Sequence, residues 1–319
     1  MYLYVKSAIL VLAFTTCYAY AHEQSVPRQL KSENDLIISW EPLSTDARAN
    51  QVDISDEQGH PVAGLNVLGL VPDALRVSIY DVSAHTPVIA VAAVYESKQG
   101  NRQVRPTASL LLFNFNGQLL SAFALEPSHA IARLAVDDKS NIWTLTEFAD
   151  TNVDPSTVPM VVEYTAEGRI ARELLTRNMF PFHASDLRED PEIGAAAMGY
   201  DAGVVWFWLP GSTDFVSITT SNGKIAMVKT QLPKKAGRNA VPLSIAREPS
   251  GNLVAQVGEN DEQGKRVIAH YTWSPATAWL QFKPTKCEGN RLIGIGDKGQ
   301  IYHSYQGDHT EVCIFRSRD

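Results

Sequence analysis

Five polar residues have the types and the spacing from which a binding or catalytic site could be built. They are Asp73, His129, His183, Asn239 and Glu288. The two histidines stand 54 residues apart, close to one period of the repeat described below. Imidazole and carboxylate groups that converge can bind a divalent metal ion or hydrogen-bond a polar ligand. No nucleophile elbow, metalloprotease helix motif or phosphate-binding loop accompanies them, so no catalytic role can be assigned from motifs.

These residues precede strand hairpins of one recurring type. The best-preserved copy is RLAVDDKSNIWTLTEF, Arg133–Phe148, in which apolar and β-branched residues flank a short polar turn. The other copies span residues 76–95, 196–209, 242–257 and 291–305. Trp143, Trp206 and Trp208 lie on the second strands of such hairpins, where we expect them to fill the space between neighbouring sheets.

A second type of hairpin alternates with the first and interleaves polar and apolar residues more strictly. Its turns contain Gly59, Gly117, Gly168 and Gly223, at intervals of 58, 51 and 55 residues, and a fifth copy at 268–282 has no glycine. Two alternating hairpins per repeat are typical of a β-propeller blade, with the first hairpin next to the axis. The sequence therefore predicts an all-β chain that folds as a single β-propeller.

The chain length and the segments outside these hairpins bear on the number of blades and on how the ring closes. Five and six blades both fit, and six is favoured because the residues after position 21 divide into six units of about fifty. Segments 35–41 and 311–316 are left as single strands, and we expect these N- and C-terminal strands to pair and close the ring. In such a ring the five candidate residues surround the mouth of the central channel, the usual position of a ligand.

One copy of the first hairpin resembles a known family. The stretch HAIARLAVDDKSNIWTL, His129–Leu145, is similar to the NHL-type six-bladed propeller repeat, with an apolar strand, an aspartate, a turn and an Ile-Trp strand. Asn141 stands where that family usually has glycine, and the copies at 244–257 and 293–305 are poorer. The resemblance implies a closed propeller that often serves as a binding platform. Because the family includes enzymes and non-enzymes, it does not fix the function.

The N-terminus has the pattern of a signal peptide. Lys6 precedes a mostly apolar run over residues 7–18, and Ala19-Tyr20-Ala21 matches a cleavage site. Residues 1–21 are therefore predicted to be removed, which leaves a propeller domain of residues 22–319 that is secreted or periplasmic. An uncleaved anchor and lipid attachment at Cys17 are the alternatives, although the apolar run is short for a membrane span.

Cleavage would leave two cysteines, Cys287 and Cys313. An even pair in an exported chain usually forms a disulfide, and both residues lie near the end of the chain, where the fold must close. Two separate buried thiols are the alternative.

Charge and composition narrow the function further. The chain has a formal net charge of −7, which becomes −8 without Lys6 because 27 basic residues then face 35 acidic ones. This balance argues against nucleic-acid binding and against a stable membrane association after cleavage. We predict a non-catalytic binding module, without a cofactor, for a protein or small-molecule ligand at the channel mouth. The alternative is a metal-dependent hydrolase of the lactonase type, with a divalent metal at the same mouth.

Overall fold

The chain forms six small antiparallel sheets arranged as a six-bladed β-propeller, which confirms the predicted fold class. The structure is a computed structural model, and it describes twelve stretches of the chain. These are residues 28–42, 50–71, 74–99, 102–103, 107–125, 130–147, 154–180, 197–209, 214–230, 241–260, 263–306 and 309–316. The predicted signal peptide, residues 1–21, lies outside them.

Each of the first three blades is built from strands that follow one another along the chain. Blade 1 contains β1 (Gln29–Glu33), β2 (Leu36–Trp40), β3 (Gln51–Asp56) and β4 (Pro61–Asn66), and the short helix α1 (Val67–Leu70) follows it. Blade 2 contains β5 (Ala74–His85), β6 (Val88–Gln99), β8 (Thr107–Asn114) and β9 (Leu119–Ala124), while β7 (Arg102–Gln103) pairs with β6 alone. Blade 3 contains β10 (Ala130–Val136), β11 (Ile142–Glu147), β12 (Pro159–Tyr164) and β13 (Ile170–Thr176).

The last three blades continue this plan, except that blade 6 has three strands among the described residues. Blade 4 contains β14 (Ala197–Asp201), β15 (Val204–Leu209), β16 (Asp214–Thr219) and β17 (Ile225–Lys229). Blade 5 contains β18 (Val241–Arg247), β19 (Leu253–Asn260), β20 (Arg266–Ser274) and β21 (Ala278–Phe282). Blade 6 contains β22 (Arg291–Gly296), β23 (Gly299–Gln306) and β24 (His309–Phe315). Short 3₁₀ turns span Pro155–Thr157 and Arg177–Met179.

The antiparallel order of each blade gives the propeller two different ends. The first strands of the blades (β1, β5, β10, β14, β18 and β22) are the innermost strands, and they pack against one another around the axis, as β5 and β10 do. The two hairpin turns of each four-stranded blade lie at one end, which we name the turn face. The connections from second to third strands and from each blade to the next lie at the other end, which we name the mouth face.

Local hydrogen bonds explain why the best-preserved hairpin turns without the glycine of the NHL-type repeat. The Asp137 side chain accepts hydrogen bonds from the backbone N–H groups of Lys139 and Asn141 and from Trp143 Nε1. Ser140 takes the left-handed backbone conformation, with φ of 64°. A residue with φ in this range is uncommon unless its surroundings hold it there, and the three bonds to Asp137 do so.

Apolar side chains pack between successive blades. The interface of blades 3 and 4 buries Trp143, Leu145, Met160, Phe207 and Val216, together with further residues of the same two sheets. Comparable clusters lie between blades 1 and 2, 2 and 3, 4 and 5, and 5 and 6. Burial of each large apolar side chain contributes about 1.5 to 3 kcal/mol, so these wedges supply most of the driving force for folding.

The seam between blades 6 and 1 is more polar. It buries the apolar side chains of Ile37 and Ile301, but it also buries Ser32, Glu57 and His303. At the turn face the backbone N–H of Asp297 donates to Asp35 Oδ1 at 2.8 Å, and Lys298 Nζ lies 3.8 Å from Glu57 Oε2. Polar groups and backbone therefore carry much of the contact at this seam.

Among the described strands, the first and the last do not pair, which differs from the prediction that N- and C-terminal strands close the ring. Strand β1 pairs with β2, β24 pairs with β23, and β1 meets blade 6 by packing against β22. Segment 35–41, which we predicted as a lone strand, contains β2 and forms a sixth inner hairpin with β1. The pattern missed β1 because its sequence, QLKSE, is almost entirely polar, and two of its residues, Lys31 and Glu33, bond to other blades.

Candidate functional site

Most of the predicted rim residues lie outside the described part of the chain. This applies to Asp73, His129, His183 and Asn239, whose assignment to a site stays a prediction. Glu288 is described, and it is exposed on the connection that enters blade 6 from the mouth face. Its carboxylate lies 3.1 Å from Lys283 Nζ, an exposed ion pair that holds its negative charge near a positive one.

The described residues contain no group of three or more histidine, cysteine or acidic side chains that could hold a metal ion. The metal-dependent alternative was based mainly on Asp73, His129 and His183, which are not among them. That alternative therefore stays a prediction.

The predicted disulfide between Cys287 and Cys313 is present. It joins the connection of residues 283–290 on the mouth face to strand β24, and the Asn290 N–H donates to the Cys287 carbonyl at 3.2 Å. The Asn290 carbonyl in turn accepts a hydrogen bond from Gln256 Nε2 of blade 5. These contacts fix the segment that carries Glu288 at the rim.

Irregularities in the innermost strands expose apolar side chains beside the channel. The register of β5 shifts at Leu75 and again at Tyr80, and that of β18 shifts at Leu243. These side chains are 49%, 53% and 40% exposed, respectively. Neighbouring blades cover both faces of an innermost strand and its own blade covers one edge, so the open direction is the channel or its mouth. A β-bulge commonly re-aims a side chain in this way next to a functional site.

A buried charge network lies deeper in the channel and ties three blades together. Lys31 Nζ lies 3.0 Å from Glu33 and 3.7 Å from Asp81, and donates to the Leu134 carbonyl at 2.8 Å. The Asp81 carboxylate accepts a hydrogen bond from the Leu134 N–H at 2.7 Å. The Ser83 hydroxyl accepts one from the Val136 N–H at 2.9 Å. Lys31 thus hydrogen-bonds Glu33 and the Leu134 carbonyl and forms an ion pair with Asp81, which indicates that it clamps three blades together.

The electrostatics of this network agree with a paired, charged lysine. Burial lowers the pKa of Lys31, but the carboxylates of Asp81 and Glu33 more than offset it and hold that pKa above its ordinary value. Burial raises the pKa of Glu33, and the bonds from Lys31 and the Ala84 N–H offset this only in part. Lys31 therefore stays protonated over the physiological range.

His270 is the histidine in the described residues whose titration is most strongly perturbed. It lies between blades 5 and 6, where its ring contacts Phe282 and Tyr302 and its Nε2 lies 3.2 Å from Gln256 Nε2. Burial lowers its pKa from 6.5 to about 4, opposed in part by Glu288. A neutral histidine packed among aromatic rings is a core residue, and it does not line the channel.

The channel residues were not among those that sequence reasoning selected. Leu75, Arg76, Tyr80, Leu243 and Arg291 lie on innermost strands, which look in sequence like ordinary buried strands. One signal was available: the alternation of the first strand RVSIYDVSAH is interrupted at Tyr80-Asp81, where the register shifts. An interrupted alternation in an innermost strand is the feature that could have identified them.

Comparisons with known proteins show the fold and go no further. No protein-family model matches the chain, and no curated protein matches its sequence. Among solved structures, a Bacteroides fragilis protein that is described as an exported protein is similar to this chain, with a TM-score of 0.51 and 10% sequence identity. The match covers 89% of this chain and 81% of that one. A protein of unknown function from Bacteroides caccae has a TM-score of 0.43 and 9% identity, with coverage of 82% and 85%. The extracellular domain of a one-component system from B. thetaiotaomicron has a TM-score of 0.46 and 10% identity, and the match covers 93% of this chain and 34% of that one.

No helix among the described residues is long and apolar enough to cross a bilayer. At identities near 10%, structural similarity shows a shared fold and does not transfer an activity. The chain is a six-bladed β-propeller, similar in fold to the protein from Bacteroides fragilis.

Proposed function

We propose that this chain is an exported, non-catalytic β-propeller that binds a small-molecule ligand at the mouth of its central channel. The observation that carries the proposal is the exposure of Leu75, Tyr80 and Leu243 on innermost strands, where the blades could have covered them. Ligand sites in proteins are mostly apolar concavities with a few placed polar groups.

Three features support export. Residues 1–21 have the signal-peptide pattern, and Cys287 and Cys313 form a disulfide, which persists in oxidising compartments. The similar propeller from Bacteroides fragilis is itself described as exported. We also propose that the blades are of the NHL type, supported by the sequence of residues 129–145 and by the presence of six blades.

The residues predicted from the sequence belong to the same proposed site. Asp73, His129, Asn239 and Glu288 each come just before an innermost strand, so they would form a polar rim around the apolar wall, with His183 on the connection between blades 3 and 4. The net charge of −7 favours a small molecule or a protein over nucleic acid or an anionic membrane surface.

The proposal can be tested with an uncharged aromatic dye, phenylnaphthylamine, whose fluorescence rises in apolar surroundings. We expect saturable binding to the purified chain, weakened about tenfold or more by Leu243→Asp and by Leu75→Asp. Leu120→Asp is the matched control, because Leu120 is 55% exposed on the outer strand β9, away from the channel. Thermal melting checks that each variant folds, and Leu75→Ser with Leu243→Ser replaces any variant that does not.

Two results would overturn the proposal. The first is an absence of saturable dye binding to the folded wild-type chain. The second is a similar loss of affinity in Leu120→Asp and in the channel variants, which would place the dye on the outer surface.

A further inference from the structure

A carboxylate is buried at the turn-face end of the seam between blades 6 and 1. Glu57 lies in the turn between β3 and β4 of blade 1, and it is only 8% exposed. Its Oε1 occupies the space in which a Cβ of Gly296, the last residue of β22, would stand. The side chain of Glu57 therefore crosses the seam and lies against the backbone of blade 6.

The carboxylate of Glu57 is poorly paired. Its Oε1 is buried and has no hydrogen-bond partner among the described residues. Its Oε2 lies 3.8 Å from Lys298 Nζ, which is close enough for an ion pair but too far for a hydrogen bond. A buried carboxylate whose oxygens are not satisfied retains much of the free-energy cost of its removal from water. The ionised form of Glu57 is therefore unfavourable in the closed seam.

Two more carboxylates lie near Glu57, one from each side of the seam. Asp35 is in the turn between β1 and β2, and because Leu36 is the register partner of Asp56, Asp35 and Glu57 extend from the ends of adjacent strands. Asp35 Oδ1 accepts the backbone N–H of Asp297, which lies in the turn of blade 6, at 2.8 Å. Three carboxylates thus surround the ammonium group that contacts Glu57.

The remaining charged groups around Glu57 lie in exposed positions. Arg316, which follows β24, is exposed, and its Nε donates to the Lys298 carbonyl at 2.7 Å. His60 is exposed on the same turn as Glu57, and its Nδ1 lies 3.0 Å from Asp56 Oδ2. Solvent and salt screen charges in such positions, so they compensate a buried carboxylate only weakly.

We propose that Glu57 is a pH-sensitive switch at the seam, which keeps blades 6 and 1 closed when it is protonated and loosens them when it is ionised. Protonation removes the buried charge and its repulsion with Asp35 and Asp297. The seam is more polar than the other interfaces between blades, so one charge has a large effect there. This switch is separate from the proposed ligand site, because Glu57 lies at the opposite end of the ring from the mouth face.

The direction of the titration follows from the same contacts. Burial and the carboxylate of Asp35 raise the pKa of Glu57 above its ordinary value of 4.5, and Asp297 adds to this, whereas Lys298 offsets the rise only in part. The unfolded chain therefore loses this proton at a lower pH than the folded chain. The contribution of Glu57 to stability is complete below about pH 4.5 and is lost as the pH rises through the raised pKa.

Hydrogen exchange of the full chain, followed by mass spectrometry and corrected for the intrinsic effect of pH, tests the switch. Between about pH 5 and about pH 8, we expect the protection of β1 and β22 to fall roughly tenfold, the change that one unit of pKa shift produces. Strands β14 and β15 of blade 4 should change less. In Glu57→Gln, which is neutral at both pH values, β1 and β22 should keep their protection.

Three further variants separate the charge of Glu57 from a general effect on folding. Asp297→Asn removes a neighbouring negative charge and should reduce the fall in protection, whereas Lys298→Gln removes the opposing charge and should enlarge it. Both leave Glu57 in place, so they carry the test if Glu57→Gln does not fold. Glu173→Gln is the matched control, because Glu173 is exposed on the outer strand β13, and it should behave as the wild type. Thermal melting checks that each variant folds.

Three results would overturn the switch. The first is equal protection of β1 and β22 in the wild type at both pH values. The second is a fall in protection that persists in Glu57→Gln, which would assign the pH dependence to other groups such as His60. The third is a change in the same direction for Asp297→Asn and Lys298→Gln, which would show that the charges around Glu57 do not control the seam.

Discussion

Blade 6 presents a different surface to each of its neighbours. Its face toward blade 5 buries Leu292, Tyr302 and Phe315 in one apolar cluster, and Cys287 and His270 lie beside them. Its face toward blade 1 buries Ile301, but next to the polar side chains of the seam described above. One sheet thus joins the ring through an apolar wedge on one side and through a largely polar contact on the other.

Among the described residues, the ring closes at this seam without a strand shared by blades 6 and 1. The described part of blade 6 lacks a fourth strand, and no described strand of blade 1 replaces it. The Cys287–Cys313 disulfide fastens β24 to the connection from blade 5, on the apolar side. On the polar side, close backbone approach at Gly294 and the contacts of Asp35 and Glu57 complete the ring. We infer that the seam is the weaker of the two interfaces.

The largest expected loss of stability comes from a comparison of leucine-to-alanine substitutions on the two faces of blade 6. Leu292→Ala empties a fully buried position in the apolar cluster and should lower the free energy of unfolding by about 3 kcal/mol. Leu30→Ala, on the partly exposed side of β1 that faces blade 6, should cost less than about 1.5 kcal/mol. Urea denaturation followed by tryptophan fluorescence measures both. Equal losses would show that the seam is as tightly packed as the wedge.

Removal of the disulfide should rank next. The bond closes a loop of 26 residues in sequence, for which loss of the cross-link costs about 3 kcal/mol through the greater freedom of the unfolded chain. The double variant Cys287→Ala/Cys313→Ala and the reduced wild type should therefore melt at similar, lower temperatures. Hydrogen exchange should rise first in β24. Unchanged stability in the double variant would show that blade 6 is held by its apolar face alone.

Low pH should destabilise the apolar interface between blades 5 and 6, because His270 is buried there. The pKa of His270 is lowered by burial to about 4 in the fold, against 6.5 for the free side chain, so the unfolded chain binds the extra proton first. Stability from this group is complete above about pH 6.5 and is lost as the pH falls toward 4, by up to about 3 kcal/mol.

The variant His270→Gln keeps a group able to bond Gln256 and cannot take up the proton. Its denaturation midpoint should be less sensitive to pH than the wild-type midpoint between pH 4 and pH 6.5. Parallel pH profiles for the two chains would show that His270 is not the group responsible.

The smallest expected loss of stability concerns the polar seam between blades 6 and 1. A Cβ at Gly294 would clash with the Ser32 carbonyl, so Gly294→Ala must push blades 6 and 1 apart and should cost about 2 kcal/mol. Gly64→Ala is the control, because a Cβ at Gly64 makes an ordinary contact, 3.8 Å from Asp53 Oδ1. If both variants melted like the wild type, the close approach would contribute nothing to closure.

Much of the fold could be predicted because it depends on local sequence patterns, namely the turns and the alternation of polar and apolar residues. Turns such as that at Gly117, where φ is 79°, recur at nearly constant spacing, and the strands beside them alternate or run apolar according to whether one face or both are buried. The pair Cys287 and Cys313 could be predicted as a disulfide because only these two cysteines remain after the predicted signal peptide. These features depend on the nearest residues and on composition, which the sequence displays directly.

The sequence predicted at which end of the ring a site would lie, but it did not predict the exposed apolar residues beside the channel. The repeat indicates which end of the ring holds the mouth, and Glu288 does lie there. The exposure of Leu75, Tyr80 and Leu243 was not predicted, because it results from register shifts in innermost strands, and the interrupted alternation at Tyr80-Asp81 is its one signal in the sequence.

The sequence by itself determined an all-β propeller, its two alternating hairpins and its cysteine pair, because each depends on local backbone preference or on composition. Only the tertiary structure decided how the ring closes, because the polar strand Gln29–Glu33 is stabilised by Asp81 and Leu134, which lie on other blades. It also decided which apolar residues stay exposed on the innermost strands, because the register shifts at Leu75, Tyr80 and Leu243 are not local sequence patterns.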